Sequence, residues 1–272
     1  MFESEGFRRD DLRRDAPHRS RAKSAEGRAA PFTYESPQVA KKLAATDRAA
    51  TSAARPWPRR LIGALLLVAL VTLPIDVAVA RWCAAGNVPK NVHRLLEIGE
   101  DFGHGIGVGL IALAVFALDP ERRRTLLRVL TGAYGAGLAA DAMKIVIVRY
   151  RPRELNLHST GVLETFDGLL GFAVGHSHSF PSAHTATGVG LAMLLTWLYP
   201  RGRWYFAFLA VLVGAQRVVV GAHFLSDVFV GAATGVAIGW CCTGWERGSR
   251  RFTRFEARGM VHTAKVASKV RQ

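Results

Sequence analysis

Three stretches of the chain place basic, histidine and acidic residues at spacings suited to phosphate: Lys144 with Arg151 and Pro152, then Pro181-Ser182-Ala183-His184, then Arg217 with His223 and Asp227. Lysine and arginine neutralise phosphate oxygens, and the arginine fork can hold two of them at once. Pro181 suits the first position of a helix. The N–H groups of the turn that follows, Ala183 among them, then form an anion seat beside the Ser182 hydroxyl. His184 lies in that turn and can reach an atom bound there. His223 and Asp227 stand one helical turn apart, so the carboxylate could accept from one imidazole nitrogen and leave the other as nucleophile or base.

Such a set fits phosphoryl transfer. His223 would attack phosphorus, with Asp227 orienting its ring, and His184 would protonate the departing oxygen and later activate water. Lys144, Arg151, Ser182, the Ala183 N–H and Arg217 would hold the oxygens and the charge that develops on them. These cations supply the electrophilic stabilisation, so no metal or other cofactor is required. Arg149 and Arg153 read as membrane anchors with snorkelling side chains. Asp141 reads as the counter-ion of Lys144, and Asp76 stays open between a structural and a functional role.

The elements that must position these residues are apolar. Half of the 272 residues are hydrophobic, yet the formal net charge is +15. The basic residues gather in residues 1–60, in Arg122-Arg123-Arg124, at Arg201 and Arg203, and after Trp245. Between them lie runs close to the ~20 residues that cross a bilayer's hydrocarbon core. The charge therefore reads as topology information and not as a nucleic-acid footprint. Six runs qualify, at residues 61–80, 105–118, 126–148, 184–199, 204–220 and 225–242. The first ends in Ala78-Val79-Ala80, which resembles a signal-peptidase site, but the charged stretch before it is far longer than a signal peptide's, so an uncleaved anchor is expected.

The expected fold is an all-α, polytopic membrane protein: a bundle of six transmembrane helices at 55–244. A disordered basic tail at 1–54 and a second basic tail at 245–272 flank it. With the basic loops inside, both termini are cytoplasmic, and Arg151, His184 and His223 all fall on the outer face. Ala, Arg and Gly richness points to a bacterial inner membrane and a periplasmic site. Residues 92–98 are amphipathic and read as a short interfacial helix, and Tyr150 to Phe180 as a long glycine-rich connection. Gly231, Gly235 and Gly239 at four-residue spacing would let a neighbouring helix approach closely. Cys83, Cys241 and Cys242 suit neither a disulfide framework nor a metal site, and the spacing of His176, His178 and His184 fits no common zinc motif.

The motif residues resemble the type-2 phosphatidic acid phosphatase superfamily, whose signature is K-x6-R-P, then P-S-G-H, then S-R-x5-H-x3-D. The chain matches the first in full, gives P-S-A-H at 181–184 and Q-R-x5-H-x3-D at 216–227. The resemblance covers about residues 61–242. It implies a membrane phosphatase acting on lipid phosphates such as phosphatidic acid, phosphatidylglycerol phosphate or undecaprenyl diphosphate. Ala183 keeps the backbone donor but adds a methyl group, and Gln216 keeps a donor at greater reach than serine. Vanadate-holding haloperoxidases share a similar site but are soluble, and the apolar runs count against them. Intact His184, His223, Arg217 and Asp227 count against a transporter or lipid-binding protein with a decayed site.

Overall fold

The computed structural model describes residues 57–169, 178–244, 252, 253 and 256. The expected disordered tail at 1–54 lies outside them, as does His176 and most of the C-terminal tail.

Helix α1 (Trp57–Thr72), a 3-10 turn (Leu73–Ile75) and α2 (Asp76–Ala84) form one apolar rod of 28 residues. Helix α3 (Lys90–Glu100) and α4 (Gly105–Leu118) meet at a bend of 68°. A basic 3-10 stretch (Pro120–Thr125) leads into α5 (Leu126–Val146), followed by strand β1 (Ile147–Arg149) and strand β2 (Phe166–Leu169). Helices α6 (Ala183–Leu198), α7 (Arg203–Val219) and α8 (Leu225–Thr243) complete the order. All six expected apolar runs are helical except for the end of the third, and the amphipathic piece is α3. By length and composition, Trp57–Ala84 and Leu225–Thr243 can cross a membrane, and a third span results if the bent pair counts as one.

Two expectations change. The run at 126–148 leaves the helix at Val146, because Ile145-Val146-Ile147-Val148 is β-branched and resists helix while favouring strand. The glycine-rich connection contributes β2, which pairs antiparallel with β1, Ile147 facing Leu169 and Arg149 facing Phe166 across a bulge.

Helix α6 is the axis of the bundle. It is apolar or small on every side, the composition of a helix packed all round, and Leu191, Leu194 and Leu195 are buried in the main core with Val129, Ala133 and Val213. The glycines of α8 face it: a Cβ at Gly235 would stand 2.6 Å from the Ala186 carbonyl oxygen, and one at Gly239 2.8 Å from Met193 Cβ. The expected packing role of that stripe holds. Helices α1, α4, α5 and α7 turn large side chains such as Leu70, Leu110, Leu138 and Val211 outward, an apolar exterior suited to lipid.

Candidate active site

The start of α6 has the geometry expected of an anion seat. Ser182 is the N-cap, and its Oγ accepts from the Thr185 N–H at 3.4 Å and from the Thr185 hydroxyl at 2.9 Å. The Ala183 and His184 N–H groups lie in the first turn, where no helix carbonyl can take them. The Ser182 N–H donates to the Asp227 carbonyl at 3.1 Å, so the seat is tied to the first turn of α8.

The turn between α7 and α8 explains the spacing from Arg217 to His223. The Arg217 carbonyl accepts from both the Ala222 and the His223 N–H groups at 3.1 Å, and Gly221 takes a φ of 66°, which a side chain would resist. The tight turn brings the imidazole back toward the helix end that carries Arg217.

His223 is buried, and its Nδ1 lies 2.6 Å from the Ser179 carbonyl oxygen. A carbonyl can only accept, so Nδ1 carries the proton and Nε2 presents a lone pair. The direct bond expected from Asp227 is absent: Nδ1 and Oδ2 are 3.9 Å apart, too far for one. The spacing rule fails here because His223 precedes α8, and the extended Phe224 stands between ring and helix. The Asp227 Oδ2 accepts instead from the Phe224 N–H at 2.8 Å and from the Ser179 hydroxyl. Asp227 thus reaches His223 through Ser179, which holds the ring by its carbonyl.

The three expected cations converge on this ring. Burial first, then the charges of Lys144, Arg151 and Arg217, hold the His223 imidazole well below its ordinary pKa, against the pull of the Ser179 carbonyl. These influences favour the neutral form of the His223 ring. Lys144 pairs with Asp141 at 2.8 Å, as expected. Arg151 feels like charge from Arg153 and Arg217, and its buried Nε has no partner among the described residues, a donor suited to a ligand oxygen. Arg153 reaches the site turn through its backbone: its N–H donates to the Gly221 carbonyl at 3.1 Å.

Several participants escaped the sequence reading. Glu100, at the end of α3, pairs with Arg217 and accepts from Gln216 Nε2 at 2.7 Å, while Gln216 Oε1 accepts from Arg217 Nε at 2.5 Å. Gln216 is therefore a strut for the arginine, with its amide turned to Glu100. The His104 ring lies 5.8 Å from that of His184, because Gly103 seats the α3–α4 elbow against the His184 carbonyl. Arg149 is no snorkelling anchor: its side chain is fully buried and pairs with Asp76 at 2.8 Å and Asp227 at 2.5 Å. An acid at the end of an apolar run needs a counter-charge, and Asp76 was the available signal.

The chain is similar to known proteins. Residues 125–251 match the profile of the PAP2 superfamily. The lipid A 1-phosphatase of Rhizobium etli is 30% identical over 200 residues, covering 68% of this chain and 81% of that protein. The decaprenylphosphoryl-5-phosphoribose phosphatase of Mycobacterium tuberculosis is 30% identical over 192 residues, covering 67% and 88%. A crystal structure of the PAP2 type phosphatidylglycerolphosphate phosphatase from Bacillus subtilis superposes with a TM-score of 0.49 at 18% identity, covering 69% of this chain and 94% of that one.

Proposed function

The chain belongs to the PAP2 superfamily and is a membrane lipid phosphate phosphatase, and from that premise we propose that it releases phosphate from a lipid monoester or diphosphate through a phosphohistidine on His223. The observation that carries this reading is the His223 tautomer: Nδ1 is committed to the Ser179 carbonyl, which leaves the lone pair on Nε2 of a neutral ring beside Lys144, Arg151 and Arg217.

In the first half-reaction a bond forms between Nε2 and phosphorus as the bond from phosphorus to the lipid oxygen breaks. Protonated His184 gives its proton to that oxygen, and the lipid leaves as an alcohol or, from a diphosphate, as a monophosphate. In the second, His184 takes a proton from water as the water oxygen attacks phosphorus. The Nε2–P bond then breaks and inorganic phosphate departs. Lys144, Arg151, Arg217, the Ser182 hydroxyl and the Ala183 N–H hold the equatorial oxygens throughout. Asp227 orients His223 by way of Ser179.

The proposed setting is a six-span bundle with both termini in the cytoplasm and the site on the outer face. The related lipid A 1-phosphatase and decaprenylphosphoryl-5-phosphoribose phosphatase extend the substrate panel to lipid A and to polyprenyl-linked phosphates. The test uses purified protein in detergent with EDTA. Phosphate release is measured from lipid A 1-phosphate, a decaprenyl-linked phosphate, undecaprenyl diphosphate, phosphatidic acid and phosphatidylglycerol phosphate. One or more of these is turned over by the wild type, and His223→Ala lowers the rate by about 10⁴-fold or more, as loss of a covalent nucleophile does in other hydrolases. Undiminished release by His223→Ala rules out the mechanism.

A further inference from the structure

We infer that Arg149, held by Asp76, is the positioning residue for His223; the inference rests on His223 being the nucleophile. The Arg149 guanidinium is fully buried and every edge of it is engaged. Nε donates to Thr165 Oγ1 at 3.1 Å, Nη1 to Ser226 Oγ at 2.9 Å and Asp227 Oδ1 at 2.5 Å, and Nη2 to Asp76 Oδ2 at 2.8 Å. The rings of Phe166 and Phe224 lie 4.4 and 4.1 Å from its Cζ, so the plane is clamped as well as the edges. Asp76 in turn accepts from the Ser226 N–H at 2.9 Å and from the Ser226 hydroxyl.

The tethers on Ser179 lead back to this one residue. Its N–H donates to the Arg149 carbonyl at 2.7 Å. Its hydroxyl donates to Asp227, whose other oxygen lies on the Arg149 guanidinium. Ser179 then offers its carbonyl to His223 Nδ1. Main chain and side chain of Arg149 thus converge on the oxygen that fixes the imidazole, and with it the direction of the Nε2 lone pair. The phosphate cradle is built from other residues, so a loosened hub misaims the nucleophile without removing an oxygen ligand. Only a planar fork reaches Asp76, Ser226, Asp227 and Thr165 together, which lysine cannot do.

The test measures kcat, KM and the inhibition constant for inorganic phosphate, which the cradle holds without a bond to Nε2, in full-length Asp76→Asn, Ser226→Ala and Arg149→Lys proteins, with thermal unfolding in the same detergent. Asp76→Asn keeps shape and Ser226→Ala removes one hydroxyl, so at least one remains folded even where Arg149→Lys does not. For folded variants kcat falls by roughly 10²-fold, the scale of a small misplacement of a reacting group, while KM and inhibition by inorganic phosphate stay within roughly threefold. An unchanged kcat, or a loss of inorganic phosphate binding in parallel with kcat, overturns the inference. His223→Ala separately reads the nucleophile assignment, so failure there is distinguishable from failure of the hub.

Discussion

At His223 a single backbone carbonyl decides which nitrogen keeps its lone pair, and burial favours the neutral ring. Because burial and three cations lower its pKa, the neutral form persists as pH falls past the ordinary histidine value of about 6.5. Corrected for the substrate's own ionisation, the acid limb of kcat/KM attributable to His223 lies below that value, and a limb above it counts against the assignment. The sign carries over to stability. The unfolded chain binds this proton first, so folded His223 costs stability as pH drops from about 6.5 toward its lowered pKa. That His184, His223 and the three cations gather in one place was legible in the sequence, because type and spacing alone suggest it. The link from Asp227 to His223 was not, since it runs through Ser179, a residue 44 positions away from the ring it holds. Arg149 was misread because snorkelling and burial start from the same sequence signal, a cation at the end of an apolar run.

At the scale of elements, the close approach of α8 to α6 fixes the anion seat, since Ser182 bonds the Asp227 carbonyl across that interface. Gly235→Ala would press a methyl group onto the Ala186 carbonyl oxygen and Val189. The expected cost is about 1–3 kcal/mol, as for other overpacked cores, with a fall in phosphatase activity, read by thermal unfolding and phosphate release. Gly63→Ala in α1 meets nothing within 4 Å. It is expected to leave stability unchanged or raise it by up to about 1 kcal/mol. The helices were legible from apolar run length, and the glycine stripe from its period. The end of α5 was not, because a β-branched apolar run reads equally as the tail of a span or a strand. Strand β2 exists through its pairing with β1, a partner no local pattern announces.

For the whole molecule, the proposed six spans predict the side on which each loop lies. A fluorescent protein fused after Gln272 matures in the cytoplasm, and a protease site inserted between the exposed His158 and Ser159 is cut from outside in intact spheroplasts. Protection of that site, with a dark fusion, reverses the orientation. The proposed orientation rests on the basic loops. The hub was not legible in the sequence, because its members are scattered along the chain: Asp76 precedes Arg149 by 73 residues and Ser226 by 150. That separation sets an order in time. At ~5–20 residues per second, the first span is made roughly 4–15 seconds before Arg149 and 8–30 seconds before Ser226. During biosynthesis Asp76 therefore waits for its partners, and the arrival of the last helix both closes the bundle and completes the hydrogen bonds to a side chain made with the first span.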